Sequence, residues 1–215
     1  MKYEILVADD HSIIRDGLRK IIGETHDLVV AGEASNGLEA LELVRQRDWG
    51  AVILDISMPG RNGLETIKLM KAERAHLPIL VFSMHSEEQY ALRALHAGAC
   101  GYLSKEGDSD LIVPALRRVA DGSMFISQKV AEMLAAEASG GGSGARHKLL
   151  SNREFEIFDL IVHGHSSTNI AAKLSLSIKT VSTHKSNILA KLGLDNSYDL
   201  YRYAVDHRLL DPDRE

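Results

Sequence analysis

The sequence has little of several things. One cysteine, Cys100, stands alone in 215 residues. That excludes an intramolecular disulfide framework and a zinc site built from several thiolates. Aromatic residues make up 5%, so the core must be mostly aliphatic. No apolar run approaches the roughly 20 residues that cross a bilayer. The N-terminus Met1-Lys2-Tyr3-Glu4 leads straight into a strand-like run, without the apolar core of a signal peptide. A cytosolic (cytoplasmic) protein without membrane contact is therefore expected. Between Leu160 and Leu194 there is no acidic residue, although the chain as a whole carries a net charge of −5.

The charge is unevenly spread. Residues 146–215 carry ten Lys/Arg and nine Asp/Glu, a net of +1, and the rest carries a net of −6. The acid-free window contains Lys173, Lys179, Lys185 and Lys191. Such a stretch in an acidic protein points to a polyanionic partner, and a merely solvated helix face is the alternative.

Short apolar runs alternate with helix-period segments over residues 1–122. The runs predict strands at Glu4–Ala8, Leu28–Ala34, Ala51–Leu54, Ile79–Phe82 and Gly101–Leu103. Their near-continuous apolar character suits strands buried on both faces of a parallel sheet. Between them, Ile13, Ile14, Gly17, Leu18, Ile21 and Ile22 form one helical stripe. Leu38, Leu41, Leu43 and Val44 form a second. Leu64, Ile67 and Met70 form a third, and Tyr90, Leu92, Leu95 and His96 a less regular fourth. Leu111, Ile112, Ala115, Leu116 and Val119 form the fifth. Five strand–helix units predict a doubly wound α/β domain with a five-stranded parallel sheet and right-handed crossovers.

Residues 123–148 read as a linker. It holds a short helix near Lys129–Ala138, capped by Ser127, and the tract Ser139-Gly-Gly-Gly-Ser-Gly-Ala145. Four glycines in seven residues make a flexible tether with a random-coil reach of roughly 15 Å. Residues 149–211 read as an all-α domain of four short helices, at Ser151–Val162, Ser167–Leu174, Ile178–Leu192 and Ser197–His207. Ser151 and Glu154 form a capping box, and Gly164 and Gly193 mark turns. Only Ser175-Leu176-Ser177 joins the second and third helices, the spacing of a helix-turn-helix.

In an open α/β sheet, ligands collect at the carboxyl ends of the strands. There stand Asp9 and Asp10, Asp55, Ser83, and then Ser104 and Lys105. Clustered carboxylates call for a hard cation, and oxygen ligands suit Mg²⁺. A carboxylate beside a metal and a lysine is equipped for phosphoryl transfer. His11 reads as a residue that starts the first helix and shapes the site, not as a ligand. His85 reads as an exposed helix-start residue, and Cys100 as a small buried hydrophobe. Met58-Pro59-Gly60 reads as a turn.

Taken together, Ala8-Asp9-Asp10-His11, the run Leu54-Asp55-Ile56-Ser57-Met58-Pro59-Gly60, Phe82-Ser83 and Gly101-Tyr102-Leu103-Ser104-Lys105 resemble the receiver domain of bacterial two-component response regulators. The resemblance implies a flavodoxin-like fold in which Asp55 accepts phosphate from a sensor histidine kinase. It implies that Asp10, Asp55 and the carbonyl of Ser57 bind Mg²⁺, with Asp9 assisting through water. Ser83 and Tyr102 would be the switch residues and Lys105 the phosphate partner. Glu106 departs from the proline that many receivers carry there.

On the helix Ile178–Leu192, Ile178, Val181, Ile188, Leu189 and Leu192 form the expected core stripe. Lys179, Ser182, Thr183 and Ser186 lie opposite, a face of small hydroxyls and a lysine that can meet bases or phosphates in a major groove. Lys185 borders the stripe. Residues 149–210 resemble the LuxR-type helix-turn-helix, through Leu150–Glu154, Ile161–Ala172 and Lys179–Gly193. By that resemblance Lys179, Thr180, His184 and Lys191 touch phosphates, and Ser182, Thr183 and Ser186 face bases. Ser167-Thr168-Asn169 replaces the family's usual asparagine-lysine-glutamate run. The two resemblances imply the NarL/FixJ class: a phosphorylation-controlled transcription factor, not an enzyme. It would bind a double-stranded DNA operator as a homodimer, with RNA polymerase a further candidate partner. A Mg²⁺-dependent phosphohydrolase and a protein-binding regulator are the competing readings.

Overall fold

The computed structural model describes residues 2–59, 62–139, 146–207 and 209–210. Gly60, of the expected turn, and the tract Gly140–Gly144 lie outside them. The chain divides into two compact units, Met1–Ala138 and Ser139–Glu215.

The first unit holds strands β1 (Tyr3–Ala8), β2 (Leu28–Ala34), β3 (Ala51–Leu54), β4 (Ile79–Ser83) and β5 (Gly101–Ser104). Interleaved are helices α1 (Ser12–Gly23), α2 (Gly37–Gln46), α3 (Gly63–Glu73), α4 (Glu87–Ala97) and α5 (Ile112–Ala120). The strands form one sheet in the order β2-β1-β3-β4-β5, every pair parallel. This is the doubly wound order whose reversal between β1 and β3 opens a crevice at the strands' carboxyl ends.

Side-chain alternation assigns the two faces. Ile5, Val7, Ile53, Leu80 and Leu103 pack with Leu18 and Ile22 of α1 and with Ile112, Leu116 and Val119 of α5. Leu6, Val52, Leu54 and Val81 are equally buried on the side of α2, α3 and α4. Local signals fix the helix starts. Asn36 accepts from the amides of Leu38 and Glu39, and Asn62 from those of Leu64 and Glu65. Gly63 allows α3 to begin against the end of β3, since a Cβ there would stand 2.3 Å from the Ile56 Cα.

Four expected stripes differ. Ile13 is 82% exposed and Leu38 54%, because each lies in a first helical turn that overhangs solvent. The buried residues of α4 are Tyr90, Ala91, Ala94 and Ala97, in place of Leu92, Leu95 and His96. Alanines let that helix lie close to β5. Leu111 sits in a 3₁₀ turn before α5 and is also exposed.

The short helix of the expected linker, α6 (Gln128–Ala138), packs on α4 within the first unit. Ser127 caps it and donates to Glu87 at 2.6 Å. Lys129 pairs with Glu88, and His96 lies 3.2 Å from Glu137. Phe125 bridges to Gly101 as a sixth, one-residue strand partner.

The second unit contains α7 (Asn152–Val162), α8 (Ser167–Lys173), α9 (Ile178–Leu192) and α10 (Ser197–Asp206). The capping box is present: the Ser151 amide donates to Glu154 at 2.8 Å and the Glu154 amide to the Ser151 hydroxyl at 3.3 Å. Phe155, Phe158, Ile170, Val181, Ile188, Leu192 and Leu200 form its core. Gly164 (φ 83°) and Gly193 (φ 69°) turn the chain in the left-handed region. Ile178 is 52% exposed, not part of the core stripe, since it is the first residue of α9.

Candidate functional site

β1 delivers Asp9 and Asp10, and β3 delivers Asp55, to one crevice. The Asp55 amide donates to Ala8 at 2.8 Å, which fixes the height of the two acidic strand ends. Asp9 and Asp55 are buried, 2% and 1% exposed. Lys105 follows β5, and its amide donates to the Ser83 carbonyl at 2.8 Å. Its ammonium lies 2.5 Å from Asp55 Oδ2 and 2.7 Å from Asp9 Oδ2.

Burial pushes Asp55 above its ordinary carboxylate pKa, opposed only in part by the Lys105 ammonium and the Ser57 amide. Burial pulls Lys105 down, but the charge and hydrogen bonds of Asp55 and Asp9 outweigh it and hold the ammonium above its ordinary value. The pair is thus a carboxylate in a dry recess with one fixed cation against it.

The expected switch residues adjoin this pair. Ser83 is fully buried, with its hydroxyl 3.4 Å from that of Ser57 and within 3.3 Å of the His85 amide. The Ser57 amide donates to Asp55 Oδ1 at 2.8 Å. Tyr102 is 1% exposed and donates its hydroxyl to the His85 carbonyl at 2.7 Å. His85 is half-buried and stacks on Tyr90, the ring centroids 4.1 Å apart. It is therefore a packed residue rather than the free helix-start residue expected. Cys100 is half-buried against the core. Glu106, in place of proline, donates its amide to the Ser104 hydroxyl at 3.2 Å.

Two residues around the acids had no assigned contact in the sequence. Arg15, one turn into α1, donates to the Asp9 carbonyl at 2.7 Å and pairs with Glu33. His11 places Nδ1 3.2 Å from Asp9 Oδ1 and 3.0 Å from Asp10 Oδ1. Ligand atoms of Asp9, Asp10, His11 and Asp55 all lie within 4.8 Å of one another. The acid pair at a strand end was visible; the reach of an exposed histidine back over it was not.

In the second unit, Lys179, Ser182, Thr183, Ser186 and Lys191 are exposed, with Thr180 and His184 half-buried. Thr183 and Ser186 donate their hydroxyls to the carbonyls of Lys179 and Ser182 at 3.0 and 3.1 Å. Their oxygens keep free lone pairs for outside donors. Ser177 caps α9 and its hydroxyl lies 2.8 Å from that of Thr180. Lys191 also reaches inward: its ammonium is 2.6 Å from the buried carboxylate of Glu154, which ties α9 to α7.

The comparisons agree with both units. The family described as response regulator receiver domain matches residues 5–117. The family described as bacterial regulatory proteins, luxR family, matches residues 148–204. The chain is a response regulator of the NarL/FixJ class. It is similar to the transcriptional activator protein ExaE of Pseudomonas putida, 38% identical over 96% of this chain and 97% of that protein. It is 34% identical to the oxygen regulatory protein NreC of Staphylococcus carnosus, over 97% and 99% of the two chains. Among solved structures it resembles Salmonella enterica serovar Typhimurium RcsB bound to the P1flhDC promoter with the phosphomimetic BeF₃⁻. That likeness has a TM-score of 0.68 at 29% identity, over 96% of this chain and 100% of that one. Response regulators of this architecture are transcription factors rather than enzymes.

Proposed function

We propose that Asp55 accepts a phosphoryl group from a sensor histidine kinase and that this modification controls operator binding by α9. The carrying observation is the buried Asp55 carboxylate held 2.5 Å from the Lys105 ammonium, at the strand ends where Asp9 and Asp10 supply further oxygens. An Asp55 oxygen forms the new bond to phosphorus. The bond from phosphorus to the kinase imidazole breaks, and its electron pair stays on that nitrogen. Lys105 sits where it can stabilise the charge on the transferring oxygens.

The donor set suits a hard divalent cation. Three carboxylates face one crevice with Lys105 as the buried counter-charge, and oxygen ligands are what Mg²⁺ takes. Asp10, Asp55 and the Ser57 carbonyl would hold Mg²⁺, with Asp9 beside them. When bound, the ion neutralises phosphoryl oxygens and orients them toward Asp55.

Ser83, whose hydroxyl is 3.4 Å from that of Ser57, would follow a phosphoryl oxygen on Asp55, and Tyr102 lies on the same sheet edge. Their displacement would repack the surface of α4, β5 and α5, a two-state element of the kind switches use. In the second unit, Ser182, Thr183 and Ser186 would face base edges, while Lys179, Thr180 and His184 would contact phosphates. Lys191 would add a phosphate contact through the ammonium protons that Glu154 does not take. The exposed Tyr198, Tyr201 and Val205 of α10 support pairing with a second copy, which would set two α9 helices in successive major grooves. RcsB on promoter DNA with a phosphomimetic supports the same order of events here. Such a regulator works in the cytoplasm, where RNA polymerase would read its effect.

The test combines Asp55→Asn with acetyl phosphate and Mg²⁺. The wild type is expected to take up acid-labile phosphate and to gain operator affinity, and the variant to do neither. Undiminished labelling of the variant, or unchanged DNA affinity and dimerisation in a fully phosphorylated wild type, would overturn the reading.

A further inference from the structure

His11 stands between the acid pair and α1. It opens α1 without capping it through its side chain, and that side chain is 63% exposed. Yet the ring is turned inward. The His11 amide donates to Asp9 Oδ1 at 2.9 Å, and this short loop holds Nδ1 over both acids, 3.2 Å from Asp9 and 3.0 Å from Asp10. Its nitrogen thus joins three carboxylate oxygens in a cluster no wider than 4.8 Å. Octahedral or tetrahedral ions with bonds of about 2.1 Å draw their ligands slightly closer than that. The closure required is small and falls on the exposed members, Asp10 and His11.

An imidazole changes which ions such a site prefers. Mg²⁺ favours oxygen and keeps its waters, so it gains little from a nitrogen. First-row transition ions accept imidazole more readily, with affinities that rise from Mn²⁺ to Cu²⁺ and fall back at Zn²⁺. We propose that His11 is a fourth, nitrogen ligand of the Asp9–Asp10–Asp55 site, one that selects divalent transition ions over Mg²⁺. This rests on the metal site of the preceding reading. Nδ1 is the ring nitrogen that faces the two carboxylates, so it is the one that would coordinate. Lys105 holds Oδ2 of both Asp9 and Asp55, whereas His11 faces Oδ1 of Asp9 and of Asp10, so ammonium and imidazole stand on different oxygens. The exposed entry through Asp10 and His11 is where an ion arrives.

If His11 served only as a counter-charge, its loss would affect all divalent ions alike. The chain carries ten histidines, so Mn²⁺, which surface imidazoles hold weakly, is the better probe than Zn²⁺. The experiment titrates the full-length protein with Mg²⁺ and with Mn²⁺, separately, in wild type, His11→Ala, His11→Gln and Asp10→Ala. Pulsed electron paramagnetic resonance of the Mn²⁺ complex reads nitrogen coupling directly. Both His11 variants are expected to lose Mn²⁺ affinity by about tenfold or more, as for loss of a ligand or its closest support. Mg²⁺ affinity should stay within about twofold, since its oxygen ligands remain. The nitrogen coupling should vanish with His11. An unchanged ratio of Mn²⁺ to Mg²⁺ affinity, or nitrogen coupling that survives His11→Ala, would overturn the proposal. Insensitivity of both ions to Asp10→Ala would instead sink the metal site itself, and the proposal with it.

Discussion

The Tyr102 hydroxyl donates to the His85 main-chain carbonyl at 2.7 Å, tying β5 to the loop that follows Ser83. The ring of His85 lies stacked on Tyr90 of α4. One hydroxyl therefore joins the strand beside Lys105, the loop beside Ser83 and the first turn of α4.

Removing that hydroxyl leaves the carbonyl without this donor. Tyr102→Phe is expected to lower stability by about 1 kcal/mol, the typical net worth of one such bond. Urea denaturation of wild type and variant measures it. An unchanged midpoint would mean that the loop is held by its other contacts alone.

Lys105 lies between two buried carboxylates, so its removal exposes them to each other. Lys105→Met is expected to destabilise the first unit by about 3–5 kcal/mol, as when one partner of a buried pair is deleted. Mg²⁺ should recover part of the loss, because a cation can then neutralise Asp9 and Asp55. Thermal melts with and without Mg²⁺ compare the two conditions. Equal destabilisation in both would argue against a shared cation.

Asp27, just before β2, receives two hydrogen bonds from the Arg117 guanidinium at 2.7 and 2.8 Å. Arg117 holds its carboxyl down from 3.8 to about 2. A depressed carboxylate contributes stability that is present above its unfolded pKa and lost as pH falls through the folded one. The wild type should therefore exceed Asp27→Asn in melting temperature near pH 7, and the gap should close between about pH 4 and pH 2. A gap independent of pH would show that the pair acts through packing alone.

On α9, Lys179 and Thr183 should separate affinity from choice. Lys179→Ala is expected to weaken binding to all DNA sequences about equally and to flatten its salt dependence. Thr183→Ala is expected to shift preference among operators by roughly 1 kcal/mol or more. Competition binding against randomised sites distinguishes them. Uniform weakening by both would place Thr183 on the backbone.

Much of this was legible because strands buried on both faces spell themselves as apolar runs. The polar residue ending each run must then stand at the crevice, which is how Asp9, Asp55, Ser83 and Lys105 could be found. The capping box at Ser151 and the turn before α9 are likewise local. What escaped was set by tertiary packing. Beside Tyr90, the buried face of α4 is Ala91, Ala94 and Ala97, small residues that carry a weak hydrophobic period. The ion pair of Lys191 with Glu154, 37 positions earlier, has no local signature. The attachment of α6 to α4 rests on Ser127–Glu87 and Lys129–Glu88, pairs with no periodic signature.

The single-residue pairing of Phe125 with β5 closes an otherwise open border of the sheet. β5 is the outermost strand; the Tyr102 amide donates to the Phe125 carbonyl at 3.3 Å and the Phe125 amide to Cys100 at 2.9 Å. Gly101 permits the approach, since a Cβ there would stand 2.6 Å from the Phe125 carbonyl oxygen. A fragment ending at residue 122 would bare those groups, a template for strand addition between molecules. It should aggregate on concentration, whereas one ending at residue 138, with Phe125 retained against β5, stays dispersed.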